Sequence, residues 1–380
     1  MSNLNFQIKQ ILKMGMQHVV LPCAYGFWRL VYGGKKQERI LFADSHHDTM
    51  PFSMVCLHEE LVKRGYEVTD VICNYANMSQ VQSSLHAIRF MRLYAQAKFV
   101  FICDNFLPVS SCRKAKGTTV VQLLHSGGLM KKMGYDTTED VPAGYRGNVY
   151  RNYDLVTVSA NCCVAPLSNA MRQEAGIVRP LGTSRTDRYF REDWVNSCRE
   201  RFYQRYPHAE NKKVILWTPT FRGNAADPRQ EGMAAIDALE KELGDGYFVI
   251  RKVHPHVDNR YHLSNCDIPA EELLPVADLM ITDYSSVVMD FMLFDRPFVL
   301  FAPDLAEYEQ KRGLYVEYAS VSPYVVTEEE KLTDTVLQAL NDGRTDWIRA
   351  QRRYHMENCD GKVSQRILDY LGLKEDNADV

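Results

Sequence analysis

The chain alternates short apolar runs with longer segments in which apolar residues recur every three to four positions. Amphipathic segments at residues 54–63 and 85–95 separate runs of the first series. Short apolar strands that alternate with amphipathic helices indicate βαβ units and a parallel sheet. The pattern therefore predicts an α/β fold for this part of the chain. The predicted strands cover residues 40–43, 68–73, 99–103, 119–124 and 155–159.

A second series of the same kind follows a charged segment at residues 185–211. Two α/β units fit a chain of 380 residues better than one core does. Open parallel sheets bind ligands at the carboxyl ends of their strands, so we expect a cleft between two Rossmann-like sheets. The predicted strands are 214–217, 248–252, 279–282 and 298–301, and the predicted helices are 233–243, 286–294 and 328–340.

We divide the chain into an amino-terminal segment, two α/β domains, and a carboxyl-terminal helix with a tail. The corresponding ranges are 1–38, 39–185, 186–355 and 356–380. The last two amphipathic segments, at 347–357 and 363–371, are long enough to pack across both halves.

Composition excludes several classes of protein. Hydrophobic residues make up 46% and charged residues 24%, as in ordinary globular proteins. The net charge of -3 argues against a general nucleic-acid binder, which would carry a basic excess. Ten cysteines without a CxxC pair indicate neither a zinc site nor a disulfide framework, and favour a reducing, cytosolic compartment.

The amino-terminal segment is amphipathic and carries no secretory signal. Apolar residues recur at helical spacing from Leu4 to Val19, and the aromatic residues Phe27 and Trp28 precede the basic Lys35. Charged and helix-breaking residues interrupt the apolar stretch before it could span a bilayer. Two interpretations stay open, namely a helix lying in a membrane interface and a helix packed on the domain.

In the second domain, the apolar run at 279–282 leads directly into polar residues and a predicted helix. Asp283, Ser285 and Ser286 stand at this turn. Free backbone N–H groups and hydroxyls at the start of a helix favour a bound phosphate. The alternative is that one serine simply caps the helix.

Two of the other predicted strands of this domain also end in polar residues. Thr218, Thr220 and Arg222 follow the run at 214–217, and an arginine fork suits phosphate, although a plain surface arginine is the alternative. His254 and His256 follow the next strand, where an imidazole could protonate or hydrogen-bond a pyrophosphate leaving group. No third ligand stands near the histidine pair, so we expect no metal.

In the first domain, the run at 119–124 delivers His125 to the cleft. Gly127 and Gly128 follow and permit close approach of a ligand, and Lys131 comes next. A base on one wall facing an anion site on the other is typical of a transferase, although a lone histidine after a strand is often structural. After the first strand, His46, His47 and Asp48 are candidates for the acceptor side only.

Taken in order, these motifs resemble the CDP-glycerol glycerophosphotransferases of teichoic acid synthesis. The segment at His125 is similar to that family's His-Gly-Thr-Pro-Leu-Lys motif, with Ser126, Gly127 and Gly128 in place of Gly-Thr-Pro, a departure that leaves the acceptor open. The resemblance covers about residues 40–372. The other matching motifs are Pro219-Thr220-Phe221-Arg222, His254-Pro255, Thr282-Asp283-Tyr284-Ser285-Ser286, Gly134-Tyr135-Asp136, Asp360-Gly361-Lys362 and Arg366-Ile367.

The resemblance implies a GT-B fold, with the nucleotide held mainly by the second domain and no cofactor or dissociable metal. The resemblance implies that His125 is the general base that takes the acceptor hydroxyl proton. It also implies that His254 stabilises or protonates the leaving phosphate. The expected partners are CDP-glycerol or CDP-ribitol, a lipid-linked glycan acceptor and the cytoplasmic face of the cell membrane, with no nucleic acid. The expected substrate-binding residues are Thr218, Thr220, Arg222, His256, Asp283, Ser285, Ser286, Gly127, Gly128 and Lys131.

Two other functions stay open on the sequence. A GT-B glycosyltransferase or epimerase would use a nucleotide sugar in the same cleft and would not release CMP. A catalytically silent nucleotide-binding scaffold would tolerate the loss of His125. Only about 40 residues precede the first predicted strand, and we expect from this a primer or short-chain transferase.

Overall fold

A computed structural model describes residues 14–33, 38–141, 145, 147–174, 176–224 and 227–374. The predicted helical spacing before residue 14 and the basic Lys35 lie outside these ranges.

The first sheet is parallel throughout and has the strand order β2-β1-β3-β4-β5-β6. Each of the five strands predicted from the apolar runs is present. The sixth, β6, has only two residues and therefore left no apolar run to recognise. The strands are β1 (Ile40–Asp44), β2 (Val68–Ile72), β3 (Phe99–Ile102), β4 (Thr119–Gln122), β5 (Leu155–Thr157) and β6 (Val178–Arg179).

Helices cover this sheet, and their apolar stripes form its core. The third helix begins with a capping box, in which Ser79 and Gln82 satisfy each other's backbone N–H groups. A π-helical turn at Met16–Val20 precedes the first helix. The helices are α1 (Leu21–Val31), α2 (Phe52–Lys63), α3 (Gln80–Tyr94), α4 (Leu107–Ser110) and α5 (Val164–Met171).

The second sheet is also parallel and has the order β10-β7-β11-β12-β13, with a separate antiparallel hairpin of β8 and β9. The four predicted strands are present, whereas the short β8, β9 and β13 were not predicted. The strands are β7 (Lys213–Thr218), β8 (Arg222–Asn224), β9 (Asp227–Arg229), β10 (Tyr247–Arg251), β11 (Leu279–Thr282), β12 (Phe298–Phe301) and β13 (Val325–Val326).

Two apolar clusters sandwich the second sheet, one on each face. Its helices include two of only four and five residues, and the five-residue helix follows the predicted phosphate turn directly. The helices are α6 (Glu192–Arg205), α7 (Met233–Leu243), α8 (Pro255–Tyr261), α9 (Ala270–Leu273), α10 (Val287–Phe291), α11 (Leu305–Lys311) and α12 (Leu332–Asn341).

The two closing helices pack on different halves. Ile348 of α13 (Asp346–His355) belongs to the core of the second domain. Ile367 of α14 (Val363–Tyr370) lies in the core of the first domain. The Asp187 carboxylate accepts from the N–H of Val363 at 2.9 Å and caps α14. The chain therefore crosses back to the first domain after it completes the second.

Candidate active site

A cavity of about 1000 Å³ lies where the carboxyl ends of the two sheets meet. The first domain supplies most of its wall, including His125 after β4 and Lys131. The second domain contributes Ser286 after β11, together with Arg312 and Tyr315. The cavity therefore brings predicted residues of both domains to one place.

His125 stands on the first-domain wall of this cavity. Its Nδ1 atom lies 3.5 Å from the Asp104 carboxylate, and 59% of its side chain is exposed, toward the cavity. Enclosure by the cleft lowers the pKa of His125, Arg185 and Lys131 lower it further, and Asp104 opposes them. The imidazole is therefore neutral near pH 7, and with Nδ1 toward Asp104 its Nε2 atom can accept a proton.

The glycines after His125 pack against the second domain. A Cβ atom at Gly127 would lie 2.6 Å from the Met356 sulfur. A Cβ atom at Gly128, where φ is +64°, would lie 2.6 Å from the Met289 sulfur. Both glycines also line the cavity. Their small size thus serves the contact between the domains as well as the cavity wall.

Lys131 belongs to an antiparallel contact between the domains, which we call the interdomain strap and which consists of residues 130–133 and 312–315. Within it, the Lys132 N–H donates to the Gly313 carbonyl at 3.0 Å and the Tyr315 N–H donates to the Met130 carbonyl at 2.8 Å. Burial and the nearby Arg312 lower the pKa of Lys131 to about 8. The Lys131 charge also lowers the pKa values of His125 and His254, so the ammonium lies near both.

In the second domain, outside the lining of the cavity, Asp283 holds the turn that follows β7. Its Oδ1 atom accepts from the backbone N–H of Thr220 at 2.8 Å and from that of Tyr284 at 2.6 Å. The hydroxyls of Thr218 and Thr220 are buried and make no hydrogen bond to the described part of the chain. Asp283 thus shapes the turn, and the two hydroxyls retain their capacity to bind a ligand.

The Arg222 side chain is only 12% exposed and is paired with two carboxylates, which makes the interpretation as a plain surface arginine wrong. Its Nε and an Nη atom donate to the Asp304 carboxylate at 2.6 and 2.9 Å, and Asp283 lies 3.0 Å from the same guanidinium. These carboxylates raise its pKa above the ordinary value, although burial opposes them. A phosphate would have to compete with two carboxylates for this fork, so its predicted role in holding the pyrophosphate stays a prediction.

His254 begins α8 and lies against the Phe221 ring, with centroids 4.4 Å apart. Its Nδ1 atom accepts from the His256 N–H at 3.2 Å, which leaves the ring proton on Nε2. Burial lowers the pKa of His254 to about 4, and His256 and Lys131 contribute. A neutral imidazole suits donation of a hydrogen bond to phosphate better than full proton transfer. His256 is exposed at the edge of this cluster.

The two serines at the start of α10 are only half-buried. Ser286 lines the cavity and its side chain makes no capping hydrogen bond to α10. The Ser285 Oγ atom lies 3.5 Å from the Val287 nitrogen, at the limit of a hydrogen bond. The hydroxyl of Ser286 therefore faces the cavity, and the capping alternative does not describe it.

Sequence reasoning missed Asp104 and the strap residue Arg312, although it predicted Lys131 of the same strap. Asp104 follows β3 just as His125 follows the neighbouring β4, so strand adjacency could have identified it. Arg312 donates to the Glu139 and Asp140 carboxylates and to the Lys132 carbonyl. It stands after a helix, away from any strand end, and no signal in the sequence marked it.

The acceptor-side candidates after β1 form a cluster of their own. The Asp44 carboxylate is 1% exposed and accepts from the backbone N–H groups of His46 and His47 at 2.7 and 2.8 Å. Hydrogen bonding to Asp44 raises the pKa values of both histidines. Asp48 instead accepts from Asn77 at 2.9 Å. Over the described ranges, no three histidine, cysteine or acidic residues are arranged to hold a metal.

Comparison with known proteins identifies the family. Residues 27–373 match the family described as CDP-Glycerol:Poly(glycerophosphate) glycerophosphotransferase. The chain belongs to this family. The teichoic acid ribitol-phosphate primase of Bacillus spizizenii is 29% identical over 302 residues, which are 74% of this chain and 77% of the primase. The teichoic acid glycerol-phosphate primase of Bacillus subtilis is 28% identical over 316 residues, which are 78% and 79% of the two chains.

The family confirms the resemblance read from the motifs and makes the protein an alditol-phosphate transferase of the teichoic acid primase and polymerase type. The teichoic acid poly(ribitol-phosphate) polymerase of Bacillus spizizenii is 28% identical over 94% of this chain. That match covers only 59% of the polymerase.

Solved structures confirm the GT-B-like fold. The wall teichoic acid polymerase TagF superposes with a TM-score of 0.72 at 20% identity, over 98% of this chain and 97% of that one. The UDP-GlcNAc 2-epimerase of Neisseria meningitidis superposes with a TM-score of 0.53 at 10% identity, over 89% and 100%. At these identities the likeness concerns the fold alone.

Proposed function

We propose that this glycerophosphotransferase moves glycerol phosphate or ribitol phosphate from a CDP-alditol to a hydroxyl of a cell-wall or capsular glycan and releases CMP. One observation carries the proposal. His125 after β4 and Ser286 after β11 come from different sheets and line one cavity with Lys131. A neutral imidazole on the acceptor side thus shares the cavity with a hydroxyl and a cation that suit phosphate.

The proposed reaction is an in-line displacement at the alditol-bearing phosphorus. His125 Nε2 takes the acceptor proton while the acceptor oxygen forms a bond to phosphorus. The bond from that phosphorus to the bridging oxygen breaks, and CMP leaves with the electron pair. Lys131 and Ser286 bind the phosphate oxygens, and His254 donates from Nε2 to the leaving phosphate. Positioning and charge neutralisation supply most of the rate enhancement.

Two features support a donor of this class without deciding the alditol. The buried Thr218 and Thr220 hydroxyls lie at the end of β7, beside the Asp283 turn. The ribitol-phosphate and glycerol-phosphate primases are 29% and 28% identical to this chain, so sequence identity does not separate the two donors.

The amino-terminal helix supports an acceptor that is linked to lipid at the cytoplasmic face of a membrane. One face of α1 packs on the domain through Leu21 and Tyr25, whereas Phe27 and Leu30 on another face are 58% and 82% exposed. In the part of the chain that is described, no helix is long and apolar enough to cross a bilayer. Gln17, just before α1, lines the cavity, so this helix adjoins the acceptor side. Peripheral binding through the exposed apolar face would bring the cavity close to a lipid-linked acceptor.

The decisive experiment measures CMP release from CDP-glycerol and from CDP-ribitol with a lipid-linked disaccharide acceptor. The wild type should release CMP from one or both donors. His125→Ala should lower the rate by about 100-fold or more, because a general base contributes that much. The matched control is His208→Ala, since His208 packs on Phe248 near the amino end of β10, at the opposite edge of the sheet.

Each contrary outcome has a distinct meaning. Full CMP release by His125→Ala would remove His125 as the base. Release of UDP from a nucleotide sugar, with no CMP from either donor, would favour the glycosyltransferase or epimerase alternative. Binding of nucleotide without turnover of any donor would favour the scaffold.

A further inference from the structure

Arg185 connects His125 to the second domain. Its guanidinium donates to the His125 carbonyl oxygen, and its Nε atom lies 2.9 Å from the Asp290 carboxylate. The side chains of Arg185 and Asp290 are 10% and 3% exposed, so this ion pair is shielded from solvent. Arg185 therefore contacts the backbone of His125 on one side and Asp290 of the second domain on the other.

Asp290 lies on α10, the helix that Ser285 and Ser286 introduce. The preceding residue, Met289, lies against Gly128 in the loop after His125. The short helix α10 thus contacts the loop after His125 directly through Met289. It is also connected to His125 indirectly, through Asp290 and Arg185. A shift of α10 on phosphate binding would be transmitted to His125 by both routes.

We propose that Arg185 is a positioning residue that couples the position of His125 to the phosphate-binding turn of the second domain through Asp290. This inference rests on the proposed role of His125 as base. The ion pair keeps the base aligned only when α10 stands against the first domain, so the base is assembled when the two domains are closed on the donor.

The electrostatics of the site give the proposal a signature that a packing role lacks. The positive charge of Arg185 lowers the pKa of His125, and Asp290 neutralises part of that charge. Removal of the Arg185 charge should raise the pKa of His125. Removal of the Asp290 charge should leave Arg185 with Glu271 as its remaining carboxylate partner and lower that pKa. The charged groups that act on the pKa of His125 directly are Asp104, Lys131 and Arg185. Asp290 and Glu271 pair with Arg185, and His355 accepts from the Leu129 N–H in the loop after His125.

The test is an NMR titration of the His125 imidazole, assigned with His125→Ala, in Arg185→Gln and Asp290→Asn. We expect pKa shifts of opposite sign in the two variants. We also expect kcat for CMP release to fall by up to about 100-fold in both, because a small misplacement of the base can cost that much. Arg185→Lys keeps the positive charge but lacks the forked guanidinium. We therefore expect the wild-type pKa for His125 in this variant but a reduced kcat.

Arg188→Gln is the matched control, because Arg188 lies on the same helical turn near the same Phe52 ring but pairs with Glu59. It should leave the His125 pKa unchanged. Equal pKa values in Arg185→Gln and Arg188→Gln, or shifts of the same sign in Arg185→Gln and Asp290→Asn, would overturn the inference. If Arg185→Gln does not fold, Asp290→Asn and Arg185→Lys still decide it. Since the titration needs no turnover, a failure of the proposed function, seen as full CMP release by His125→Ala, would be detected separately.

Discussion

Lys131 is a half-buried cation whose charge depends on pH within the working range of an enzyme. Its pKa is lowered to about 8, so the ammonium is fully charged below that pH and is lost as the pH rises through it. If it binds the donor phosphates, kcat/KM should fall above about pH 8. Lys131→Arg should remove this basic limb, because a guanidinium stays charged. The measurement is kcat/KM for CMP release from pH 6 to about 10.

Lys131→Met should lower kcat/KM by about 10- to 100-fold below pH 8, where the wild-type ammonium is charged, since a charged hydrogen bond contributes about 1.5–3 kcal/mol. Lys132→Met is the control. The Lys132 side chain lies beside Gly313, and Lys132 takes part in the strap through its backbone and not through its side chain. If kcat/KM of Lys131→Arg still falls above about pH 8, a group other than Lys131 must titrate there.

Several residue types at the site were predictable, but their partners were not. A histidine or a serine at a strand end can be read from the chain, as for His125 and Ser286. The pairing of Arg222 with Asp304 joins residues that are 82 positions apart, and local sequence carries no signal for it. The neutral state of His254 likewise depends on burial that only the folded chain defines.

At the scale of elements, α1 presents apolar residues on two faces, and the two faces predict different consequences of mutation. Leu30 is 82% exposed, so Leu30→Glu should change the free energy of unfolding by no more than about 0.5 kcal/mol. The same change should weaken binding to anionic lipid vesicles by about 10-fold or more, because it removes a leucine worth about 1.5–3 kcal/mol on burial. Vesicle co-sedimentation and urea unfolding measure the two effects.

Tyr25→Phe on the buried face is the matched control for α1. Its hydroxyl accepts from the Ala115 N–H at 2.8 Å, so the loss should cost about 1–2 kcal/mol of stability. Vesicle affinity should stay at the wild-type level. If Leu30→Glu binds vesicles as well as the wild type does, the exposed face has another role.

The elements that were predicted are those whose burial leaves a periodic pattern. The core strands β1, β3 and β11 are buried along their whole length and read as continuous apolar runs. By contrast, β6 and β13 have two residues each, and the hairpin of β8 and β9 has three in each strand. Such short segments bury too few side chains to show periodicity, so only the paired sheet reveals them.

At the scale of the whole molecule, contacts between the domains converge on the candidate site. The interdomain strap carries Lys131, the glycine loop after His125 packs on Met289 and Met356, and Arg185 joins His125 to Asp290. The GT-B arrangement of two sheets was predictable from two series of apolar runs. These contacts were not, because they depend on how the two sheets are docked, and α14 returning to the first domain strengthens that docking.

The strap makes Gly313 a sensitive position. Its φ angle is +81°, and a Cβ atom there would lie 2.9 Å from the Lys132 side chain. Gly343, between α12 and α13, also has a positive φ of +63°, but a Cβ atom there would meet nothing within 4 Å. Valine at either position should therefore cost about 1–2 kcal/mol of backbone strain. Only Gly313→Val places this strain within the strap, where the Gly313 carbonyl accepts from the Lys132 N–H next to Lys131.

We therefore expect Gly313→Val and Gly343→Val to lower the urea midpoint to a similar extent, whereas only Gly313→Val should reduce kcat/KM for CMP release, by about 10-fold or more. The comparison separates loss of stability from loss of alignment, because both variants carry the same backbone strain. Similar activity in the two variants, measured where both remain folded, would show that the strap holds the domains together without positioning Lys131. A selective loss in Gly313→Val would instead make the docking of the two domains part of the catalytic geometry, since Lys131 belongs to the strap and lines the same cavity as Ser286.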